Sequence, residues 1–229
     1  MLLAMPQLLS AEQVDEVRRL IDGGRWEDGQ GTAGRQSALA KRNRQIAADC
    51  ERGEQARAIV LRALEADGLF VSAALPRAIF PPLFNRYDGD DGHAFGNHVD
   101  NAIRFLPDGS GSIRTDLSAT LFLSEPTDYD GGELVIEDSY GAHEVKLAAG
   151  DMVLSPSTSL HRVEPVTRGS RIASFFWIES RIRDDARRAI LLDIDAAIRS
   201  LAQSLGDERE EVVALTGCYH NLLRQWATG

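Results

Sequence analysis

The sequence predicts a mainly β fold, a sandwich or barrel, with helices gathered at the two chain ends. Three observations point that way. From Phe80 to Ile178 the apolar residues come in short runs, some alternating, separated by glycine-rich turns. Before and after that stretch they recur at helical spacing instead. No internal repeat or low-complexity tract interrupts the pattern. Many short strands flanked by helices specify sheets that cover one another's apolar faces.

Taken in order, Ser10 and Gln13 form a capping box, and Val14, Val17, Leu20 and Ile21 follow at helical spacing up to Gly23-Gly24. The chain then changes character. The stretch WEDGQGTAGRQSALAKRNRQ, Trp26–Gln45, is rich in glycine, glutamine and basic residues. Gly29, Gly31 and Gly34 argue for a loop, and Arg35, Lys41, Arg42 and Arg44 make it locally basic. By composition it reads as a solvated connection; the alternative is a segment at the mouth of a site, touching an anionic or polar substrate. A second helix is predicted over Glu54–Asp67, burying Ala56, Ile59, Val60, Ala63 and Leu64 and ending at Gly68.

Phe80–Tyr87 carries two prolines near its start, which suit an edge strand or a bend. Arg114–Ser124 alternates more cleanly. Leu117, Ala119, Leu121 and Leu123 share one face and Asp116, Ser118 and Thr120 the other, although Phe122 breaks the polarity of the second. Turns at Asp130-Gly131-Gly132, Tyr140-Gly141 and Ala149-Gly150-Asp151 precede strands at Glu133–Glu137, His143–Leu147 and Met152–Ser155. Arg171–Ile178 is the last strong strand.

From Ser180 the chain is helical again. Ile182, Ala186, Ala189, Ile190, Ile194, Ala197, Ile198 and Leu201 make one stripe, Gly206 breaks it, and Val212, Leu215, Tyr219, Leu222, Leu223 and Trp226 make another. Such stripes need a partner surface. Packing on the core is expected, and a share in a homo-oligomer interface stays open. The organisation expected is therefore 1–76, helices and a substrate-side loop on the core; 77–179, the core itself; and 180–229, a C-terminal helical extension.

Composition narrows the function. A chain of 229 residues, 43% hydrophobic and 26% charged, suits one large globular domain or one with a small attachment. A net charge of -10 argues against general binding to nucleic acid or to anionic lipid. Cys50 and Cys218 are the only cysteines, so there is no disulfide framework and no thiolate metal cluster, and a reducing interior fits. MLLAMPQLLSAEQ lacks a basic leader and contains Pro6, so it reads as folded structure and not as a signal peptide. No apolar run approaches the ~18 residues needed to span a membrane. The expected location is cytoplasmic.

The chemistry concentrates in Phe84–Arg104, FNRYDGDDGHAFGNHVDNAIR. On an extended strand His98 and Asp100 would face the same way, with Val99 opposite. A third ligand is available in His161, within SLHRVEP. Two histidines and one carboxylate leave half of an octahedral shell open, as in non-haem Fe(II) oxygenases. Gly89, Gly92 and Gly96 place a polar loop where a substrate would enter. Arg171, opening the apolar run RIASFFWIES, needs an acidic partner. A 2-oxo acid would chelate iron at one end and meet Arg171 at the other, with O2 taking the remaining position. The bland alternative makes His98 and Asp100 a surface ion pair and His161 a turn residue. Two other classes also fit: a cupin-like protein that binds a metal or small acid without turnover, and an assembly module built on the C-terminal helices.

The sequence resembles the bacterial PKHD-type hydroxylases, a branch of the Fe(II)/2-oxoglutarate dioxygenases related to prolyl and lysyl hydroxylases. The resemblance runs through Phe84–Tyr87, Phe95–Ala102, Tyr129–Leu134 and Ser159–Val163. It also includes Trp26, Asp28-Gly29, Thr32-Ala33-Gly34, Gln36-Ser37, Lys41, Asn43 and Gln45. It implies a double-stranded β-helix (jelly roll, cupin-like) with a helical extension, Fe(II) on His98, Asp100 and His161, and 2-oxoglutarate on Arg171 with Tyr87 against it. It further implies ascorbate as a reductant, a small-molecule or peptide substrate and a link to iron uptake or homeostasis. It moves the Trp26–Gln45 loop towards the site, which makes Gln36, Lys41 and Asn43 substrate-side candidates along with Asn85 and Asn101. The loop Asp90-Asp91-Gly92-His93-Ala94 departs from the shorter, methionine-containing loop expected of relatives. His93 there is a candidate substrate contact or simply a surface histidine.

Overall fold

A computed structural model of the chain describes residues 1–32, 34 and 36–228. Ala33 and Arg35, from the predicted basic loop, and Gly229 lie outside the described residues.

β1 (Leu3–Met5) leads into α1 (Ala11–Asp22), whose capping box forms as the sequence predicts. Gln13 N–H donates to Ser10 Oγ at 3.3 Å, and Ser10 N–H to Gln13 Oε1 at 2.9 Å. The glycine-rich stretch is not the continuous loop that composition suggests. It contains β2 (Trp26–Asp28), β3 (Lys41–Arg42) and β4 (Arg44–Ile46), joined through 3-10 turns at Gly29–Thr32 and Ser37–Ala40. Strands this short carry no readable period, and neighbouring strands supply their hydrogen bonds. α2 (Glu51–Ala66) follows. Gly68, read as a stop, instead opens α3 (Gly68–Ala74), because Asp67 caps it by accepting from Phe70 N–H at 2.6 Å.

β5 (Pro76–Ile79) and β6 (Leu83–Asp88) flank the proline bend, and β7 (Ala94–His98), β8 (Ile103–Phe105), β9 (Ser112–Arg114) and β10 (Leu117–Phe122) follow. β11 (Tyr129–Gly131) occupies part of a predicted turn, since it pairs with the last strand. β12 (Leu134–Asp138), β13 (Gly141–Val145), β14 (Met152–Pro156) and β15 (Leu160–Val163) precede β16 (Val166–Ser180), which is longer at both ends than its apolar run. The chain closes with α4 (Asp185–Leu205) and α5 (Glu210–Trp226).

The main sheet runs β1-β14-β10-β16-β6-β4-β2, with β5 and β11 also paired to β16; the second runs β13-β12-β15-β7-β3. Pairing is antiparallel in both. Alternation on β10 decides what each face does. Leu117, Ala119 and Leu121 join Ile172, Phe176 and Ile178 in a core closed by α1, α2 and α3. Phe122 points the other way, into the space between the sheets, with Tyr87, Tyr129, Leu134, Ile136 and Val163. Two facing sheets with helices outside one of them make a double-stranded β-helix, and its open interior is where a site can form.

The extension packs through Leu75, Ile182 and Leu191, covered by Tyr219, Leu222, Leu223 and Trp226. The predicted α4 stripe is offset from the buried face. Ile190 is exposed, whereas Leu191 and Arg188 are buried. The Arg188 guanidinium reaches back to accepting carbonyls of Ile182 and Arg183 at 2.6 and 2.9 Å, which turns the helix away from its apolar stripe. Ile190, Leu205, Val213 and Leu215 stay exposed. Cys50 and Cys218 are both free. Among the described residues no helix is long and apolar enough to cross a membrane.

Leu191→Ala should cost about 2–5 kcal/mol, the range for emptying a buried leucine site. Urea unfolding with limited proteolysis checks it. An unshifted midpoint would show that the extension does not share the fold's stability.

Candidate active site

Pairing of β7 with β15 sets His161 directly opposite His98, their rings 4.2 Å apart between centroids. β7 ends at His98, so Asp100 lies beyond the strand and not on it as expected. Its position comes from a side-chain contact instead. Ser118 Oγ, on the cavity face of β10, donates to Asp100 Oδ2 at 2.5 Å and lies 2.7 Å from Ser157 Oγ. Asp100 Oδ2 is 3.8 Å from His161 Nε2, and one donor atom from each of His98, Asp100 and His161 falls within 4.8 Å of the others.

The imidazoles are held in a ligating tautomer. His98 Nδ1 is 2.8 Å from the Gly96 carbonyl, and His161 Nδ1 3.0 Å from that of Ser159. A carbonyl only accepts, so each Nδ1 carries the proton and each Nε2 presents a lone pair. Phe95 stacks on His98 with centroids 3.6 Å apart and planes 18° apart. Burial, aided by the neighbouring His161, pushes His98 down to about 4, so the ring is neutral near pH 7. Two imidazoles and a carboxylate gathered in this way suit a divalent metal with open positions.

Arg171 sits on β16 opposite Tyr87 of β6, 1% exposed. Its guanidinium lies 5.5 Å from the Tyr87 ring centroid and 5.3 Å from that of Phe122. That contact accounts for the apolar residue which broke the polar face of β10. Arg171 Nε and Nη1 are buried without hydrogen-bond partners. A buried guanidinium so left is costly until an anion meets it, and a carboxylate matches its fork. Burial raises Tyr87 to about 12 and also raises Tyr129, with the Arg171 charge opposing both. Gly132, at φ +68°, makes room: a Cβ there would come 3.1 Å from Arg171 Cδ and 2.9 Å from Val166 Cγ2.

One cavity takes in His98, Asp100, His161, Arg171, Tyr87 and Asn85, and also Lys41 and Asn101. Three sequence-derived candidates stand elsewhere. Gln36 is exposed on the turn before Ser37 and does not line the cavity. Asn43 is buried beneath Gly29, whose N–H donates to its carbonyl at 3.0 Å. His93 accepts from Asp88 N–H at 3.0 Å and lies 3.6 Å from Asp91, tying its own loop together. Sequence reading did not single out Ser118 or Arg104, and it named Tyr129 and Thr32 only within stretches that resemble the family. Ser118 carried a signal as a polar residue on the inner face of an alternating strand, and Arg104 closes the ligand-bearing stretch.

Two imidazoles, a carboxylate and a buried, anion-seeking arginine inside a double-stranded β-helix define a dioxygenase of the Fe(II)/2-oxoglutarate class. Comparison with known proteins agrees. Residues 82–179 match the model of the 2OG-Fe(II) oxygenase superfamily, and residues 185–228 that of the PKHD-type hydroxylase C-terminal domain. A PKHD-type hydroxylase of Phenylobacterium zucineum is 59% identical over 227 residues, 99% of each chain. One from Caulobacter vibrioides is 57% identical over the same share. In fold, the chain is similar to a prolyl hydroxylase of Trichoplax adhaerens solved with a peptide of hypoxia inducible factor. The TM-score is 0.58 at 18% identity, covering 82% of this chain and 86% of that one. The chain belongs to the PKHD-type hydroxylases.

Ser118→Ala should weaken Ni(II) or Co(II) binding about tenfold or more in calorimetry, as loss of a residue orienting a ligand does. Equal affinity would show that Asp100 is positioned without it. Lys41 provides a pH prediction. It is 3% exposed, and burial, then Arg104, push it down to about 7. Between that value and its ordinary 10.5 the unfolded chain binds more protons than the folded one, so stability should rise with pH across this window. Chemical denaturation of the metal-free protein at pH 7 and pH 9 should show the rise in wild type and its loss in Lys41→Met.

Proposed function

We propose that this chain couples oxidative decarboxylation of 2-oxoglutarate to hydroxylation of a small-molecule or peptide substrate. His98, Asp100 and His161 would hold Fe(II), and Arg171 would hold the distal carboxylate of 2-oxoglutarate. The observation that carries this is the pairing of a three-donor cluster with a buried guanidinium, its Nε and Nη1 without hydrogen-bond partners, in one cavity. Fe(II) with 2-oxoglutarate and O2 supplies the oxidising chemistry, which releases succinate and carbon dioxide and puts one oxygen atom into a C–H bond.

The residues of the chain supply position and environment. The carbonyls of Gly96 and Ser159 hold the protons of both imidazoles on Nδ1, keeping Nε2 free for the metal. Ser118 aims the Asp100 carboxylate. Tyr87 and Phe122 wall the Arg171 guanidinium and exclude water from its pairing with an acid, which strengthens that pairing. Asn85, its Oδ1 buried and unpaired, offers a further polar contact within the cavity.

Finer parts of the reading rest on family resemblance, namely ascorbate as the reductant and a link to iron uptake or homeostasis, while a cytoplasmic location is supported by the two cysteines without a disulfide framework. A homo-oligomer through the extension is supported by the exposed Ile190, Val213 and Leu215.

The test is succinate release from Fe(II)-loaded protein given 2-oxoglutarate and air. His98→Ala and Asp100→Ala should abolish both metal binding and turnover. Arg171→Lys should raise the KM for 2-oxoglutarate about tenfold or more, since a point charge cannot reproduce a two-pronged contact. Undiminished metal binding in the ligand variants would falsify the assignment.

A further inference from the structure

The cavity contains more positive charge than an Fe(II)/2-oxoglutarate reaction accounts for. On the reading above, the charged ends of 2-oxoglutarate belong to Arg171 and to the metal held by the three-donor cluster. Lys41 and Arg104 line the same cavity and remain. They stand further along β16 than Arg171. Arg171, Phe175 and Trp177 alternate onto one face of that strand, roughly 13 and 20 Å of strand separating the first from the other two. Lys41 Nζ lies 5.6 Å from the Phe175 ring centroid, and the Arg104 guanidinium 3.8 Å from that of Trp177.

Both cations are fastened to one residue. Lys41 Nζ donates to Thr32 Oγ1 at 2.7 Å, and Arg104 Nη1 donates to the Thr32 carbonyl at 2.9 Å. Among the described residues neither is paired with a carboxylate. Asp100, the acid of this cavity, already accepts from Ser118 and faces His161. A lysine and an arginine converging on one threonine, the lysine 3% exposed, repel each other whenever both are charged, and an anion between them would relieve that repulsion. Asp100 attracts both groups and Asp28 attracts Lys41, yet neither carboxylate is in contact with them. The space beside them is walled by the rings of Phe95, Phe175 and Trp177.

We propose that Lys41 and Arg104, held side by side on Thr32, bind an oxyanion of the substrate. The substrate is then an organic acid, whose apolar body lies along Phe175 and Trp177 while its charged group meets the two cations. This assignment rests on the proposed function, because it assumes that Arg171 is occupied by 2-oxoglutarate.

The experiment uses Ni(II)-loaded full-length protein without O2. Calorimetry first measures 2-oxoglutarate binding in wild type and Arg171→Gln. With 2-oxoglutarate saturating, benzoate, phenyl phosphate and benzamide are then titrated, followed by calorimetry and by tryptophan fluorescence, to which Trp177 contributes. An anionic probe should bind about tenfold or more tightly than benzamide, the factor expected for charge-assisted hydrogen bonds. Preference for benzoate assigns a carboxylate and preference for phenyl phosphate a phosphate ester; both support the site. Lys41→Gln and Arg104→Gln should each remove most of that preference and change 2-oxoglutarate affinity less than about threefold. Lys41→Arg and Arg104→Lys should retain it. Arg104 is half-buried, so Arg104→Gln carries the test if Lys41→Gln does not fold. Equal binding of benzoate and benzamide, or an unchanged preference in Arg104→Gln, would overturn the proposal. Absence of Arg171-dependent 2-oxoglutarate binding is a different failure, that of the underlying reading, and is seen before any probe is added.

Discussion

The antiparallel pairing that sets His161 against His98 is the constraint on which the site depends. Neither histidine is special locally. His98 ends one short strand of the second sheet and His161 is the second residue of another, and the register of that one ladder turns two distant imidazoles into neighbours. Because side chains alternate along a strand, a slip of one residue would send one ring to the outer face. The flanking ladders hold against such a slip: β12 pairs with β15 on the far side, placing Ile136 opposite His161, and β3 pairs with β7, placing Lys41 opposite Phe95.

The second organising fact is an energetic debt left open. Folding normally pairs buried polar groups, yet Arg171 is buried among aromatic rings with two guanidinium nitrogens unmet. The surrounding structure is built to tolerate this. Gly132 has no side chain that would crowd the arginine, and Lys146 Nζ clamps the neighbouring strand by donating to the carbonyls of Tyr129 and Gly131 at 2.9 and 3.1 Å. A site kept ready in this way would meet an acid with little reorganisation.

Much of this was legible in the sequence, for reasons that differ by residue. The α1 capping box, the alternation of β10 and the turn before β14 carry local signals, and the structure forms them there. The ligand cluster was legible because its residue types are diagnostic, although Asp100 owes its place to Ser118 and not to strand geometry. β2, β3 and β4 were not legible, since strands of two or three residues exist only through their neighbours. Nor was the rotation of α4, which follows from Arg188 reaching backwards to the chain before its own helix. Lys41 was singled out as a candidate by resemblance, but its convergence with Arg104 on Thr32 is a tertiary fact with no trace in local pattern.

β16 runs unbroken from Val166 to Ser180 and carries Arg171, Phe175 and Trp177 on one face. It therefore works as a ruler. The spacing between Arg171 and the two aromatic rings can change only in steps of two residues, because a single insertion between them would turn one end of the cavity inside out. Insertions and deletions in descendants of this chain should spare that interval and collect in the connecting loops, leaving acceptance of new molecules to side-chain replacement at a fixed distance.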